Sequence, residues 1–385
     1  MTKVALGVLT CIAVLASACG GSTTSSAPVT TASTAHYAQL GPHSVSVTTL
    51  DLGSAGPVLG ERFATVYYPA NSKLPGDSCR GVFQYTEAQT LPTSLQSILP
   101  SQYNTTQIVP GTLLGCNGDP WPAQRGHFPV VLFSHGFGGE RLYYSNLLTG
   151  IASWGYVVVS ADYLERGLAS QALKGVPKPS PALDRSIMLR SLAVVTKAAS
   201  SSSSVLFGSL NPRSVAAVGH SAGGRTAFDA LTSPRISTAI GWAPVGPAGP
   251  PASKPTMIIG ATKDTAVPAA TVAATYKSFP PPKSLIEIGG FGHNTYTDIC
   301  VGIRQGGGLI NFAVANHFTT PQLAALGING CQASDLSPKR FWPVVQYYTV
   351  FQLKTALAGR SSSTVVPRPA PGTFPGVKVA VTQAR

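Results

Sequence analysis

The sequence predicts an α/β fold, a mostly parallel central sheet flanked by helices, with disulfide-stapled insertions. Three observations predict it. Short continuous apolar runs at 128–133, 156–160 and 215–218 read as strands buried on both faces. Stretches with helical spacing, 142–154 and 184–199, fall between them, which is the alternation of a parallel sheet with crossover helices. The third run leads directly into Gly219-His220-Ser221-Ala222-Gly223-Gly224, and residues 225–231 then favour a helix. Strand, tight turn with a Ser at its apex, then helix is the setting of a nucleophile elbow.

Taken in order, the chain opens with Lys3 and an apolar segment, 4–15, too short to span a membrane. Leu15-Ala16-Ser17-Ala18-Cys19 follows, and the small residues before Cys19 make 1–18 a signal peptide of lipoprotein type, with Cys19 as the lipidated residue. Ordinary cleavage nearby is the alternative. Residues 19–40, rich in Gly, Ser, Thr and Ala, read as a flexible tether. The expected catalytic domain is 41–360, with an irregular insertion at 71–126 that could border a substrate cleft, and 361–385 is a Pro-rich tail. Within the domain, 45–52 and 62–68 alternate like antiparallel strands. Residues 236–242, 256–260 and 285–288 continue the sheet, and 342–357 is a closing helix.

Composition narrows the partners. The chain carries 44% hydrophobic and 11% charged residues, enough apolar material for one large core. Its net charge of +13 is scattered, without a basic run or aromatic interleaving. That argues for attraction to an anionic envelope and against nucleic-acid binding. No Cys or His spacing suggests a metal, and no dinucleotide fingerprint fits, so no cofactor is expected. Beyond Cys11 and Cys19, the chain has Cys79, Cys116, Cys300 and Cys331. An even count in an exported chain suggests two disulfides. Three pairings are open, and Cys79–Cys116 with Cys300–Cys331 is preferred because each staples a local insertion.

A Ser hydroxyl needs a base within reach, and the base needs an anchor that fixes its tautomer. Ser221, Asp264 and His293 occur in that chain order, each at the end of a successive strand-like run. Ser…Asp…His is the α/β-hydrolase order. His293 lies in a Gly-rich loop, from which its ring is expected to swing toward Ser221. Asp162, ending an earlier strand, and Asp298 are the rival acids. His135 and His220 flank glycine turns and read as loop supports; His36, His43, His127 and His317 follow no strand end. For the oxyanion, two preorganised N–H donors are needed. Ala222, beside the nucleophile, supplies one, and Phe137, in the H-G-x-G-like loop His135-Gly136-Phe137-Gly138-Gly139, the other.

These segments, with Gly292-His293-Asn294-Thr295-Tyr296-Thr297-Asp298-Ile299-Cys300, resemble bacterial α/β hydrolases of the platelet-activating factor acetylhydrolase type and their dienelactone-hydrolase-like relatives. The elbow and Ala261-Thr262-Lys263-Asp264-Thr265-Ala266-Val267-Pro268 are also similar to actinobacterial cutinases and polyester hydrolases. The resemblance covers about residues 62–357 and implies a cofactor-independent serine esterase acting on short acyl esters. Three features depart from it: compact cutinases lack an insertion like 71–126, the acetylhydrolase pattern around the acid is not clearly matched, so that Asp264 rests on the cutinase likeness, and true dienelactone hydrolases use a Cys nucleophile. The expectation is therefore a monomeric carboxylic-ester hydrolase acting on a small-molecule or lipid ester, exported and lipid-anchored at the outer face of a bacterial membrane or secreted. The alternatives are an envelope acyltransferase on the same fold and a non-catalytic, envelope-anchored binding protein.

Overall fold

A computed structural model describes residues 36–71, 80–115, 117–306, 308–361 and 363–385. The expected leader, Cys19 and the expected Cys79–Cys116 pair lie outside the described residues. The elements in chain order are β1 (Val45–Ser54), β2 (Glu61–Pro69), β3 (Gln84–Thr86), β4 (Thr106–Ile108), β5 (Phe128–Ser134), α1 (Ser145–Ala152), β6 (Val157–Ala161), α2 (Ala169–Ala172), α3 (Pro181–Ser200), β7 (Leu210–His220), α4 (Ala222–Ala230), β8 (Thr238–Trp242), β9 (Thr256–Ala261), α5 (Ala269–Ser278), β10 (Lys283–Ile288), α6 (Ile299–Arg304), α7 (Leu309–Ala315), α8 (Pro321–Ile328), α9 (Pro338–Ala356) and β11 (Val379–Ala384).

Nine strands form one sheet in the order β1-β2-β6-β5-β7-β8-β9-β10-β11. From β6 to β10 every pairing is parallel; β1–β2, β2–β6 and β10–β11 are antiparallel. This mostly parallel sheet with helices on both faces is the α/β-hydrolase fold.

The apolar runs are continuous because each strand buries both faces. In β5, Val131 and Phe133 belong to the core beneath α1 and α9, whereas Val130 and Leu132 belong to the core beneath α3, α4 and α5. The same alternation divides Ala216 and Val218 from Val215 and Ala217 in β7. α3 begins where the chemistry favours it, with Pro181 at its first position and the Leu183 N–H donating to Ser180 Oγ at 3.2 Å.

Several elements differ from the sequence-based expectation. The helix expected over 142–154 starts only at Ser145, because Tyr144, at φ −126° and ψ 15°, has a non-helical backbone. The expected tether is docked from His36 onward: the Gln346 amide donates to the carbonyls of Tyr37 and Gln39. The end of the Pro-rich tail pairs with β10 and closes the sheet edge. The irregular insertion contains the β3–β4 hairpin. Residues 299–328, which carry no strong pattern, form the short helices α6, α7 and α8, and the Cys300–Cys331 disulfide closes the loop that contains them.

Candidate active site

The site forms where β5, β7, β9 and β10 end, the edge at which open α/β sheets bind ligands. β7 delivers Ser221 into a turn with φ 56° and ψ −119°, a backbone conformation that L side chains rarely adopt. Strain of this kind costs on the order of 1–3 kcal/mol and persists only where the surroundings over-determine it. They do so here. A methyl group at Gly219 would overlap the Gly223 carbonyl, and one at Gly223 would overlap the Ser134 and His135 carbonyls. The Ser221 N–H donates to Trp242 O at 2.9 Å, tying the turn to β8.

Asp264 follows β9. Its Oδ2 lies 2.7 Å from His293 Nδ1, and its Oδ1 accepts the N–H groups of Ala266 at 2.9 Å and Val267 at 2.7 Å. Both carboxylate oxygens are thus committed, which fixes the orientation that the His ring meets. The rival acids are engaged elsewhere. Asp162 pairs with Arg141 and accepts the Phe63 N–H; Asp298 accepts the Asn146 N–H at 3.1 Å and the Tyr85 hydroxyl at 3.4 Å. Burial pushes the Asp298 carboxyl up to about 7.

The loop bearing His293 differs from the expectation. His293 opens a short 3₁₀ turn rather than a free Gly-rich loop. Its N–H donates to Asn329 Oδ1 at 2.7 Å, and its carbonyl lies 3.1 Å from His220 Nε2. A main chain held at both ends does not swing, so the ring is placed in advance. Nε2 of His293 bonds to nothing among the described residues, and His293 lines the same cavity as Ser221.

The loop after β5 forms the third side. Gly138 N–H donates to Arg166 O at 2.8 Å, and Arg166 Nη2 returns to His135 O at 2.7 Å and Ser134 Oγ at 2.6 Å. Arg166 also pairs with Asp184. His135 Nδ1 donates to Gly136 O at 2.9 Å while its Nε2 accepts the Tyr163 N–H at 3.0 Å. Burial, reinforced by the Arg166 charge, holds this imidazole well below its ordinary pKa and therefore neutral. The N–H groups of Phe137 in this loop and of Ala222 at the start of α4 donate to no acceptor among the described residues. Unpaired N–H donors are the kind of group that an oxyanion requires.

The cavity over these groups is about 420 Å³. One wall is the Ser221, His293 and Gly136–Gly139 surface. The other is apolar: Leu91 and Leu95 of the insertion, and Leu309, Phe312, Leu323 and Leu326 of α7 and α8. No cluster of His, Cys, Asp or Glu among the described residues is arranged to hold a metal ion.

Sequence reading missed Asn329, Arg166 and Tyr144. Asn329 stands next to Gly330 within an apolar stretch, which is a weak turn signal only. Arg166 belongs to a charged pair, Glu165-Arg166, unusual in a chain this poor in charge. Nothing local marks Tyr144.

A family model described as Chlorophyllase matches residues 80–249. The match takes in the loop after β5 and the turn at Ser221 and ends before Asp264 and His293. No curated protein matches the chain. The match fits the α/β-hydrolase fold and supports an ester hydrolase in general.

Proposed function

We propose that the chain is a serine carboxylic-ester hydrolase. Ser221 attacks the ester carbonyl while His293 takes its proton. Asp264 orients His293 and stabilises the imidazolium, and the N–H groups of Phe137 and Ala222 hold the oxyanion. His293 then protonates the leaving alcohol, and a water activated by His293 releases the acyl group from Ser221. The observation that carries this reading is the 2.7 Å contact between His293 and Asp264 beside a Ser in elbow conformation. The finer resemblance to acetylhydrolases, dienelactone-hydrolase-like enzymes and polyester hydrolases rests on the loop motifs alone. The apolar wall of the cavity favours an ester with a sizeable apolar group over an acetyl ester. Export fits the leader, the Cys19 lipidation signal and a buried disulfide, which persists in an oxidising compartment.

Hydrolysis of p-nitrophenyl esters of graded acyl length tests the proposal. Wild type is expected to turn over, with longer chains preferred to acetate. Ser221→Ala is expected to lose on the order of a millionfold in kcat, because only the oxyanion hole and binding remain. Activity surviving in Ser221→Ala at more than a few per cent of wild type removes Ser221 from the mechanism.

A further inference from the structure

His220 sits at the end of β7, beside the nucleophile, with its ring centroid 4.5 Å from that of His293 and 5.0 Å from that of Tyr296. Its two nitrogens have different partners. Nε2 lies 3.1 Å from the His293 carbonyl, and Nδ1 lies 2.8 Å from the Tyr144 hydroxyl. The Tyr144 oxygen is in turn 3.4 Å from the Gly136 N–H. A carbonyl only accepts, so Nε2 must carry the proton. Burial, with the neighbouring His293 adding to it, holds His220 well below its ordinary pKa, so the ring is neutral and Nδ1 keeps its lone pair. Tyr144 O–H must then donate to Nδ1, which leaves the phenol oxygen to accept from Gly136 N–H. Every member has one direction open to it.

We propose that Tyr144 and His220 are positioning residues for the proposed ester hydrolysis, forming a one-way hydrogen-bond chain from the oxyanion loop to the main chain of His293. The chain runs Gly136 N–H to Tyr144 O–H to His220 to the His293 carbonyl. It sets the spacing between the oxyanion donors and the base, two groups that come from different strands and share no other hydrogen bond among the described residues. It also keeps the second imidazole uncharged. When His293 becomes an imidazolium, a protonated ring at this distance would oppose it; a neutral His220 does not. The room for the chain is built in: a methyl group at Gly136 would stand 3.1 Å from Ser221 Cβ and 3.2 Å from His220 Nδ1.

The inference rests on the proposed function, and the experiment separates the two. Tyr144→Phe removes one oxygen and keeps the ring in its packing. Its kcat on the best p-nitrophenyl ester is expected to fall by about 10- to 100-fold with KM within about twofold, the signature of misplaced reacting groups rather than lost binding. His220→Gln keeps one N–H donor and one acceptor and is expected to recover most of the kcat that His220→Leu loses. Melting temperatures identify any variant that has merely lost stability. Tyr144→Phe with wild-type kcat, a loss expressed in KM instead, or His220→Gln no better than His220→Leu overturns the inference. If wild type and Ser221→Ala are equally inert, the proposed function fails instead.

Discussion

The two walls of the cavity are built in opposite ways. The wall that bears Ser221 is made of strand ends: Ser221, Asp264 and Gly136 each follow a buried parallel strand, and His293 follows the next. Its geometry is set by close backbone approaches at Gly219 and Gly223 and by hydrogen bonds that use both oxygens of Asp264. The facing cap is made of residues 87–99 and of α6 to α8, short helices with apolar inner surfaces. The cap is tied to the rest at several points, among them the Asn294 amide, which donates to the Leu326 and Gly327 carbonyls of α8. Cys300–Cys331 closes its base, the Asp298 N–H donates to Tyr143 O at 2.7 Å, and the Tyr143 hydroxyl lies 3.3 Å from buried Glu87. Under the proposed function, chemistry would fall to the sheet edge and substrate selection to the cap, a division that fits reaction centres needing sub-ångström placement and apolar pockets that do not.

The largest expected effect breaks only the wall that bears Ser221. Asp264→Asn is expected to lower kcat by roughly ten-thousandfold while leaving the melting temperature close to wild type, because an amide neither stabilises the imidazolium nor enforces the tautomer. Asp298→Asn and Asp162→Asn, measured in the same assay, are expected to lose far less. A greater loss in either reassigns the acid.

The next effect loosens the cap. The disulfide closes a separation of 31 residues, which in the chain-entropy account stabilises by about 3–4 kcal/mol. Cys300→Ala with Cys331→Ala is expected to lose about that much in denaturant unfolding. Activity should also fall with temperature before the global transition, since the 3₁₀ turn carrying His293 rests on Asn329, two residues from Cys331. Coincident loss of activity and fold would show that the cap is not a separate unit.

The smallest effect sharpens the comparison through pH. The Asp298 carboxyl is held near 7 by burial, against about 4 for an unfolded Asp. Between those values the folded chain keeps a proton that the unfolded chain releases, so this group's stabilisation is fully present below about pH 4 and is lost as pH rises through about 7. Asp298→Asn keeps an acceptor for the Asn146 N–H and removes the ionisation. It is expected to be more stable than wild type, by a few degrees in melting temperature, at pH 8, and to keep only a small part of that advantage at pH 5. Glu87, also pushed up to about 7 by burial, leaves part of the slope in place. An equal difference at both pH values contradicts the assignment.

The same contrast explains what the sequence could tell. The strand ends were legible because burial on both faces writes continuous apolar runs such as 128–133, and because a strained turn admits only small neighbours around Ser221. Asp264 and His293 could be picked out because each follows such a run. The cap was not legible. Residues 299–328 pack one face on a cavity and leave the other in solvent in helices too short to show a period. Val314 of α7, outside the cavity lining, is accordingly 47% exposed. Tyr144 was invisible for another reason: its role comes from meeting His220, 76 positions away in the chain, and no local pattern records that.

The central claim is that Ser221 is a nucleophile activated by the His293–Asp264 pair. A fluorophosphonate probe tests it most directly, because it labels an activated Ser without requiring knowledge of the natural ester. A single modified peptide containing Ser221 is expected in the wild-type chain, with labelling slowed by several orders of magnitude in Asp264→Asn. A wild-type chain that stays unlabelled, carries the label on another Ser, or labels equally fast with Asn at 264 would contradict it.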